Sequence, residues 1–216
     1  QGDTERNLPV LERLVPHDRP QAHLFDGAFR VTADLPEADA ARAFGDFAGF
    51  MKRGQYSHGA GKSGVPVGQG MRLGVHNATV QGADRWRRAP KHVSTTARLL
   101  HFDGLTPLHW ALKFIRYRMT PHDVQSHILQ PHRTAQIDWM GAQSDTLQAA
   151  YAAHTAMFGL TPQRAAQLRA FGLLQEVGFD PRLRLGADAP DLSLEAFDTD
   201  LIARNPWFED VLSPEG

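Results

Sequence analysis

The sequence predicts a mixed α/β fold in which a strand-bearing region, residues 1–105, is followed by a helix-rich region, residues 106–216. Short alternating apolar segments separated by glycines, as in residues 55–82, favour strands and turns. Alanine-rich segments with apolar residues three or four positions apart, as in residues 144–158, favour helices. We therefore expect a mixed sheet of the α/β or α+β class, followed by a helical half.

The first fifty residues contain three predicted elements. Residues 8–15 form an apolar patch closed by a proline, and we expect a short helix there. Residues 22–34 alternate on both sides of an Asp-Gly turn pair, which predicts a β-hairpin. Pro36 then precedes an alanine-rich segment whose apolar residues recur at helical spacing, so an amphipathic helix ending near Gly54 should follow.

Later elements are predicted from strand patterning and from helix-start signals. Residues 93–101 read as a strand, and residues 193–204 read as a helix opened by a serine. A threonine followed by proline suits a helix start, because the hydroxyl caps backbone N–H groups and proline tolerates the first helical position. Such pairs occur at Thr106-Pro107, Thr120-Pro121 and Thr161-Pro162.

Composition excludes several classes of protein. The absence of cysteine removes disulfides, thiolate metal sites and cysteine nucleophiles. A formal net charge of −1 provides no global basic field, so we expect no nucleic-acid partner. Neither a long apolar run nor a secretory signal pattern is present, which predicts a cytoplasmic protein without a membrane-spanning helix.

A glycine-rich segment is the first candidate for a binding site. Residues 59–63 read Gly-Ala-Gly-Lys-Ser, but a P-loop also needs a glycine at the position of Tyr56, so a nucleotide P-loop is excluded. A looser anion site is compatible with the pattern, formed by backbone N–H groups with the Lys62 ammonium and the Ser63 hydroxyl, close to His58. The alternative is a solvated turn with a surface lysine.

Two of the eleven histidines lie where the backbone would orient them. His76 ends a predicted strand beside a glycine, and His101 ends another, with Asp103 two residues later. A neutral imidazole at either position could ligate a metal or bind a diphosphate oxygen. The alternative for each is a hydrogen-bonded structural histidine.

A short basic patch follows on the helix predicted after Thr106. Lys113, Arg116 and Arg118 could face an anionic donor or membrane head groups, which would make peripheral membrane association possible. Plain solvation of the helix surface is the alternative.

These motifs together resemble one half of a known family. Lys62-Ser63, then Gly-Val-His ending at His76, then the His-Phe-Asp run ending at Asp103, occur in an order similar to that of the latter half of bacterial family 2-like glycosyltransferases. The resemblance covers residues 25–118. It implies a GT-A type α/β fold, a nucleotide-sugar donor, and a divalent metal such as Mn²⁺ or Mg²⁺.

The resemblance also implies roles for particular residues. His76 and His101 would contact the metal, and Asp103 is the candidate catalytic carboxylate, with no catalytic base otherwise assigned. The donor phosphates would be bound by His58, Lys62, Ser63 and Lys113. The family's Asp-x-Asp motif is missing at the expected place, because Asp198-Thr199-Asp200 lies in a late helix.

The resemblance thus implies a glycosyltransferase-like protein, or its C-terminal portion, acting on a cell-surface or exopolysaccharide acceptor, in the cytoplasm or at the inner face of the membrane. The nucleotide-binding half would lie upstream of Gln1. Two alternatives remain open: a non-catalytic module that binds glycans or a protein, and another phosphate-handling transferase, of the sulfotransferase-like kind.

Overall fold

The computed structural model describes residues 5–57, 61–68, 70–74, 76–121, 130–143, 147–186 and 189–208. Its strands are β1 (Glu5–Leu8), β2 (Val10–Pro16), β3 (Ala28–Val31), β4 (Lys62–Gly64), β5 (Met71–Leu73), β6 (Ala78–Gln81), β7 (Trp86–Arg88), β8 (Lys91–Val93), β9 (Leu99–His101), β10 (Gly159–Leu160) and β11 (Leu174–Glu176). Its α-helices are α1 (Glu37–Phe44), α2 (Pro107–Arg118), α3 (Pro131–Gln143), α4 (Leu147–Phe158), α5 (Pro162–Ala170), α6 (Arg182–Leu185) and α7 (Leu194–Arg204). The 3-10 helices are Gly45–Phe50 and Pro206–Phe208. The predicted mixed α/β class is confirmed.

Strand β2 is the centre of the main sheet. One edge of β2 pairs with β3 in antiparallel orientation, and β11 pairs with the other edge of β3. The other edge of β2 pairs in parallel with β9 along residues 10–12 and with β10 along residues 15–16. Two strands from the helix-rich half, β10 and β11, therefore complete a sheet that the N-terminal half begins.

Strand β1 is joined to β2 by Pro9 and is the central strand of a three-stranded sheet. It lies between β4, which is antiparallel to it, and β8, which is parallel. Strands β5, β6 and β7 form an antiparallel meander. The meander buries Ala78 and Val80 with Ala89, against the partly buried Val65 and Met71.

The largest apolar cluster joins α2, α3 and α4. Trp110 and Phe114 of α2 are fully buried, with ring centroids 4.1 Å apart, and they pack with Ile137 of α3 and Met157 of α4. None of the helices in the described residues is long and apolar enough to cross a membrane.

Several element predictions are confirmed. Thr106 and Thr161 each cap a helix with the side-chain oxygen, accepting from the N–H of His109 and Arg164, and Ser193 does the same for α7. The alanine-rich segment is helical as α4. The remaining proline start, Thr120-Pro121, leads into residues 122–129, which lie outside the described part of the chain.

Other element predictions are wrong. Residues 8–15 form strand, not helix, because β2 is buried between strands on both edges, and a continuous apolar run fits either structure. The hairpin over residues 22–34 is half correct: β3 forms, but its partners are β2 and β11. The α-helix after Pro36 ends at Phe44. A 3-10 helix follows it and ends at Phe50, four residues before Gly54. The strand predicted over residues 93–101 is divided into β8 and β9.

Candidate functional site

The candidate site is built on a buried three-residue segment, residues 55–57, which precedes the glycine-rich loop. From the sheet below, the fully buried Glu12 of β2 accepts the Ser57 N–H at 2.7 Å and the Tyr56 N–H at 3.2 Å. The same carboxylate is ion-paired with Arg30 of β3, whose side chain is also fully buried. The buried Glu12 carboxylate thus holds the backbone of Tyr56 and Ser57, immediately before the glycine-rich segment.

From the other side, α3 fixes the carbonyl groups of the same segment. Arg133 donates to the Tyr56 carbonyl at 3.2 Å, and Gln136 donates to it at 2.8 Å. His132 Nε2 lies 2.8 Å from the Ser57 carbonyl. Since a carbonyl only accepts, His132 carries its proton on Nε2, and its lone pair is on Nδ1.

A second buried carboxylate, Asp103, joins α2 and α3 to the end of β9. Its side chain receives Lys113 Nζ at 2.6 Å, Arg133 Nη1 at 2.8 Å and the Trp110 indole N–H at 3.2 Å. The next residue is Gly104, where an added Cβ would lie 2.6 Å from the Trp110 Cβ. No larger residue fits there without displacing the helix.

Asp103 is held in its charged form. Burial alone would raise its pKa, but the charges of Arg133 and Lys113 outweigh burial and hold the pKa of Asp103 far below its usual range. An anion this strongly stabilised is suited to anchoring the segment and is a poor proton acceptor at neutral pH. The candidate catalytic carboxylate therefore has the chemistry of a structural ion pair.

His101 lies beside this ion pair, at the start of the glycine-rich loop. Its Nδ1 is 3.1 Å from the Ser57 hydroxyl. Burial lowers the pKa of His101, and burial also lowers the pKa of His132. Both imidazoles are accordingly neutral at pH 7, which is the form that ligates metals or accepts a proton.

His76 lies at the other end of the same loop. Its Nδ1 is 2.7 Å from the Gly61 carbonyl, so Nδ1 carries a proton and donates it to that oxygen. Gly61 has φ +77°, and a Cβ there would meet the Leu8 carbonyl at 2.7 Å. Both the conformation and the close approach require glycine.

The two histidines predicted as metal contacts thus contact residues on either side of residues 58–60, which lie outside the described part of the chain. His101 bonds Ser57 before them, and His76 bonds Gly61 after them. Four residue steps span at most roughly 14 Å. Within the part of the chain that is described, no group of three or more His, Asp and Glu side chains is arranged to hold a metal, so these histidines would supply only part of a coordination sphere.

The side chains predicted to bind phosphate differ in their hydrogen-bond and ion-pair partners within the described structure. Ser63 donates its hydroxyl to Glu5 at 2.9 Å, and Lys113 is bound to Asp103. Lys62 is on β4 opposite Leu8, and its side chain makes no hydrogen bond or ion pair with any described residue. His58 lies outside the described residues. Lys62 is therefore the one of these three described side chains whose polar group is not engaged within the described structure.

Sequence reasoning missed the contribution of α3 and of the sheet interior. His132 and Arg133 stand in no recognisable motif, and only the fold brings them to Ser57 and Asp103. Glu12 did carry a signal, because it is an acidic residue inside the apolar run of β2. A charge in a buried strand needs a partner, and Arg30 is that partner.

Comparison with protein-family models, with curated proteins and with solved structures finds no match to this chain.

The buried histidines predict a loss of stability in mild acid. His154 of α4 packs on Trp110 and Phe158, and burial lowers its pKa from 6.5 to about 4. Between these two pH values the unfolded chain binds a proton that the folded chain does not. The free energy of unfolding should therefore fall by about 3 kcal/mol for this group as pH decreases from 6.5 to 4, and be constant below that.

Urea unfolding at pH 7 and at pH 4.5 measures this effect. His154→Leu should show a smaller difference between the two pH values than the unchanged chain, because it cannot titrate. His92→Leu, at an exposed position of β8, is the control and should keep the full difference. Equal pH dependence in the unchanged chain and His154→Leu would contradict the assignment.

Proposed function

We propose that this chain carries part of a nucleotide-sugar site of a family 2-like glycosyltransferase, with the donor diphosphate held at the glycine-rich loop. The observation that carries the proposal is the pair of histidines at the two ends of that loop, His101 on Ser57 and His76 on the Gly61 carbonyl. The order of the sequence motifs supports the same proposal. The acceptor would be a cell-surface or exopolysaccharide sugar.

The hydrogen bond that His76 donates supports contact with a cation or a diphosphate. A histidine that ligates a metal usually donates its other ring N–H to a carbonyl or carboxylate, which orients the ring. His76 donates in this way to the Gly61 carbonyl. The residues fit a divalent ion bound jointly with donor oxygens, and such an ion would neutralise charge on the leaving diphosphate.

Lys62 would bind the diphosphate itself. The Lys62 ammonium follows Gly61 directly and is not paired with a described carboxylate. A cation placed there stabilises the charge that develops when the bond at the anomeric carbon breaks. His101, held neutral by burial, is positioned beside the loop to accept or orient a proton.

A non-catalytic glycan-binding module is the second candidate. It is favoured by the state of Asp103, whose lowered pKa and three donors leave it unsuited to act as a base. In that case the loop would bind the sugar nucleotide or a glycan without transfer.

Calorimetry with UDP-glucose and GDP-mannose, with and without Mn²⁺, tests the proposal. We expect binding of at least one donor, strengthened by Mn²⁺. Lys62→Ala should weaken it about 10- to 100-fold, as expected for loss of a charge-assisted hydrogen bond of about 1.5–3 kcal/mol.

His76→Asn separates ligation from loop positioning. The asparagine amide can still donate to the Gly61 carbonyl, but it has no nitrogen in place of Nε2. If His76 binds the ion, this variant should lose the Mn²⁺ enhancement, while His92→Asn on the exposed strand β8 keeps it. Failure of every nucleotide sugar to bind, or an unchanged Mn²⁺ response in His76→Asn, would contradict the site.

A further inference from the structure

The charge of the chain is distributed very unevenly. Residues 61–98, here called the basic lobe, contain seven Lys and Arg residues and a single Asp, a formal charge of +6. The rest of the chain contains 16 basic and 23 acidic residues, a formal charge of −7. The net charge of the whole chain is therefore near zero although the lobe formed by β4 to β8 is strongly cationic.

Most of the arginines of this lobe point to solvent without a carboxylate partner. Arg72, Arg85, Arg87 and Arg88 are exposed, and none forms an ion pair with a described Asp or Glu. In the meander, Thr79 of β6 pairs with Arg72 on one side and with Arg88 on the other. Residues directly opposite in a sheet share a face, so the two arginines lie in one row on the outer face.

Trp86 lies on the same outer face. It is opposite Gln81, two residues along β6 from Thr79, and the Arg72 guanidinium stacks on its ring at 3.9 Å from the centroid. The opposite face of the meander is buried through Ala78 and Val80. The sheet thus presents a basic and aromatic surface backed by a small apolar core.

The buried Glu5 of β1 holds the parts of the lobe together. It accepts the Ser63 hydroxyl at 2.9 Å and the Ala78 backbone N–H, and Lys91 Nζ lies 3.9 Å from it. Its own N–H donates to the Pro90 carbonyl at 2.8 Å. Strands β4, β6 and the β7–β8 connection are therefore attached to one residue through its carboxylate and its backbone N–H, so the cationic face is presented by an ordered scaffold.

Apolar side chains are exposed on the same lobe. Val67, between β4 and β5, is 100% exposed, Leu73 at the end of β5 is 55% exposed, and Val93 at the end of β8 is 52% exposed. Cationic side chains with isolated exposed apolar ones suit an interface that is both anionic and partly apolar. A membrane containing anionic lipids has both properties.

We propose that the basic lobe docks this protein on the surface of a membrane rich in anionic lipid. Arg72 and Arg88, on the outer face, contact lipid phosphates, and Val67 enters the boundary between head groups and acyl chains. A membrane fits better than single-stranded nucleic acid, because Arg72 covers one face of Trp86 that bases would otherwise stack on. The inference does not depend on the proposed sugar-nucleotide site.

Sedimentation with vesicles tests the docking. We expect the full chain to bind phosphatidylglycerol–phosphatidylcholine vesicles at low salt, to bind pure phosphatidylcholine vesicles far less, and to be released by salt. Each basic residue near an anionic surface contributes about 1 kcal/mol, or about fivefold in partitioning. The double variant Arg72→Gln with Arg88→Gln should therefore bind about 25-fold more weakly.

Matched variants separate the lobe from net charge. Arg42→Gln with Arg204→Gln makes the same change in charge on α1 and α7, outside the lobe, and should bind nearly as the unchanged chain does. If circular dichroism shows that the first double variant is unfolded, Arg88→Gln alone is the substitute and should bind about fivefold more weakly. Equal losses in the lobe variant and in the α1 and α7 variant would overturn the proposal.

A further variant identifies the kind of partner. Val67→Ser should weaken vesicle binding up to about tenfold, because a buried valine contributes about 1.5 kcal/mol. Binding to a polyuridylate strand, if measurable, should be weaker than binding to vesicles. A Val67→Ser variant that binds vesicles as before, or tighter binding to polyuridylate than to vesicles, would contradict membrane docking.

Discussion

Replacing Asp103 with alanine is expected to lower the free energy of unfolding by about 3–5 kcal/mol. The substitution leaves two cations without their shared partner: Lys113, 2.6 Å away, and Arg133, 2.8 Å away, whose side chain is almost completely buried. It also removes the acceptor of the Trp110 indole. Urea unfolding followed by tryptophan fluorescence at pH 7 measures the loss.

An exposed ion pair supplies the control for this prediction. Asp200→Ala removes a carboxylate 2.7 Å from Arg204 on the surface of α7, where such a pair contributes about 0.5 kcal/mol at most. A loss below about 1 kcal/mol for Asp103→Ala would mean that Lys113 and Arg133 find other partners. The two variants together would then show that the buried carboxylate does not anchor α2 and α3 to β9.

Replacing Glu12 with glutamine should have an effect of similar size, about 3–5 kcal/mol. The substitution keeps the shape of the side chain but removes the charge that balances Arg30, and both side chains are fully buried. It also places an amide NH₂ among donors, since Ser57 and Tyr56 both direct backbone N–H groups at the carboxylate. Urea unfolding gives the size, and hydrogen exchange at the Ser57 amide shows whether the loop start is loosened.

Glu176→Gln is the matched control for the Glu12 variant. Glu176 is on the edge strand β11 and pairs with Arg169 at the surface, so its loss should change stability by less than about 1 kcal/mol. If Glu12→Gln retains both its stability and the protection of the Ser57 amide, the carboxylate is not what holds the segment before the loop.

The helical half was largely predictable from the sequence because its signals are local. Thr106 and Thr161 cap helices through hydroxyl oxygens that accept from residues three positions later, so the pattern and its cause lie within four residues. Strand β2 was not predictable in the same way. Its apolar run fits helix or strand equally, and only pairing with β3, β9 and β10 decides between them.

The candidate site was predictable only in part, for the same reason. His76, His101 and Lys62 belong to segments with visible motifs, and in the structure His101 contacts Ser57 and His76 contacts Gly61. His132 and Arg133 have no motif, and their contacts to Ser57 and Asp103 cross 75 and 30 residues of chain. Glycine at position 104 follows from the closeness of Trp110, which only packing reveals.

The pairing of the first strands also determines when this chain can fold. During synthesis β1 and β2 emerge before their partners β8, β9 and β10, which follow about 85 to 145 residues later. Until then one edge of the largely apolar strand β2 has unpaired backbone N–H and C=O groups. These groups can pair with other chains, which is a route to aggregation. Contacts this distant in sequence slow folding, because a long loop must close before they form. The central sheet therefore cannot close until β10, about 145 residues after β2 along the chain, has emerged from the ribosome.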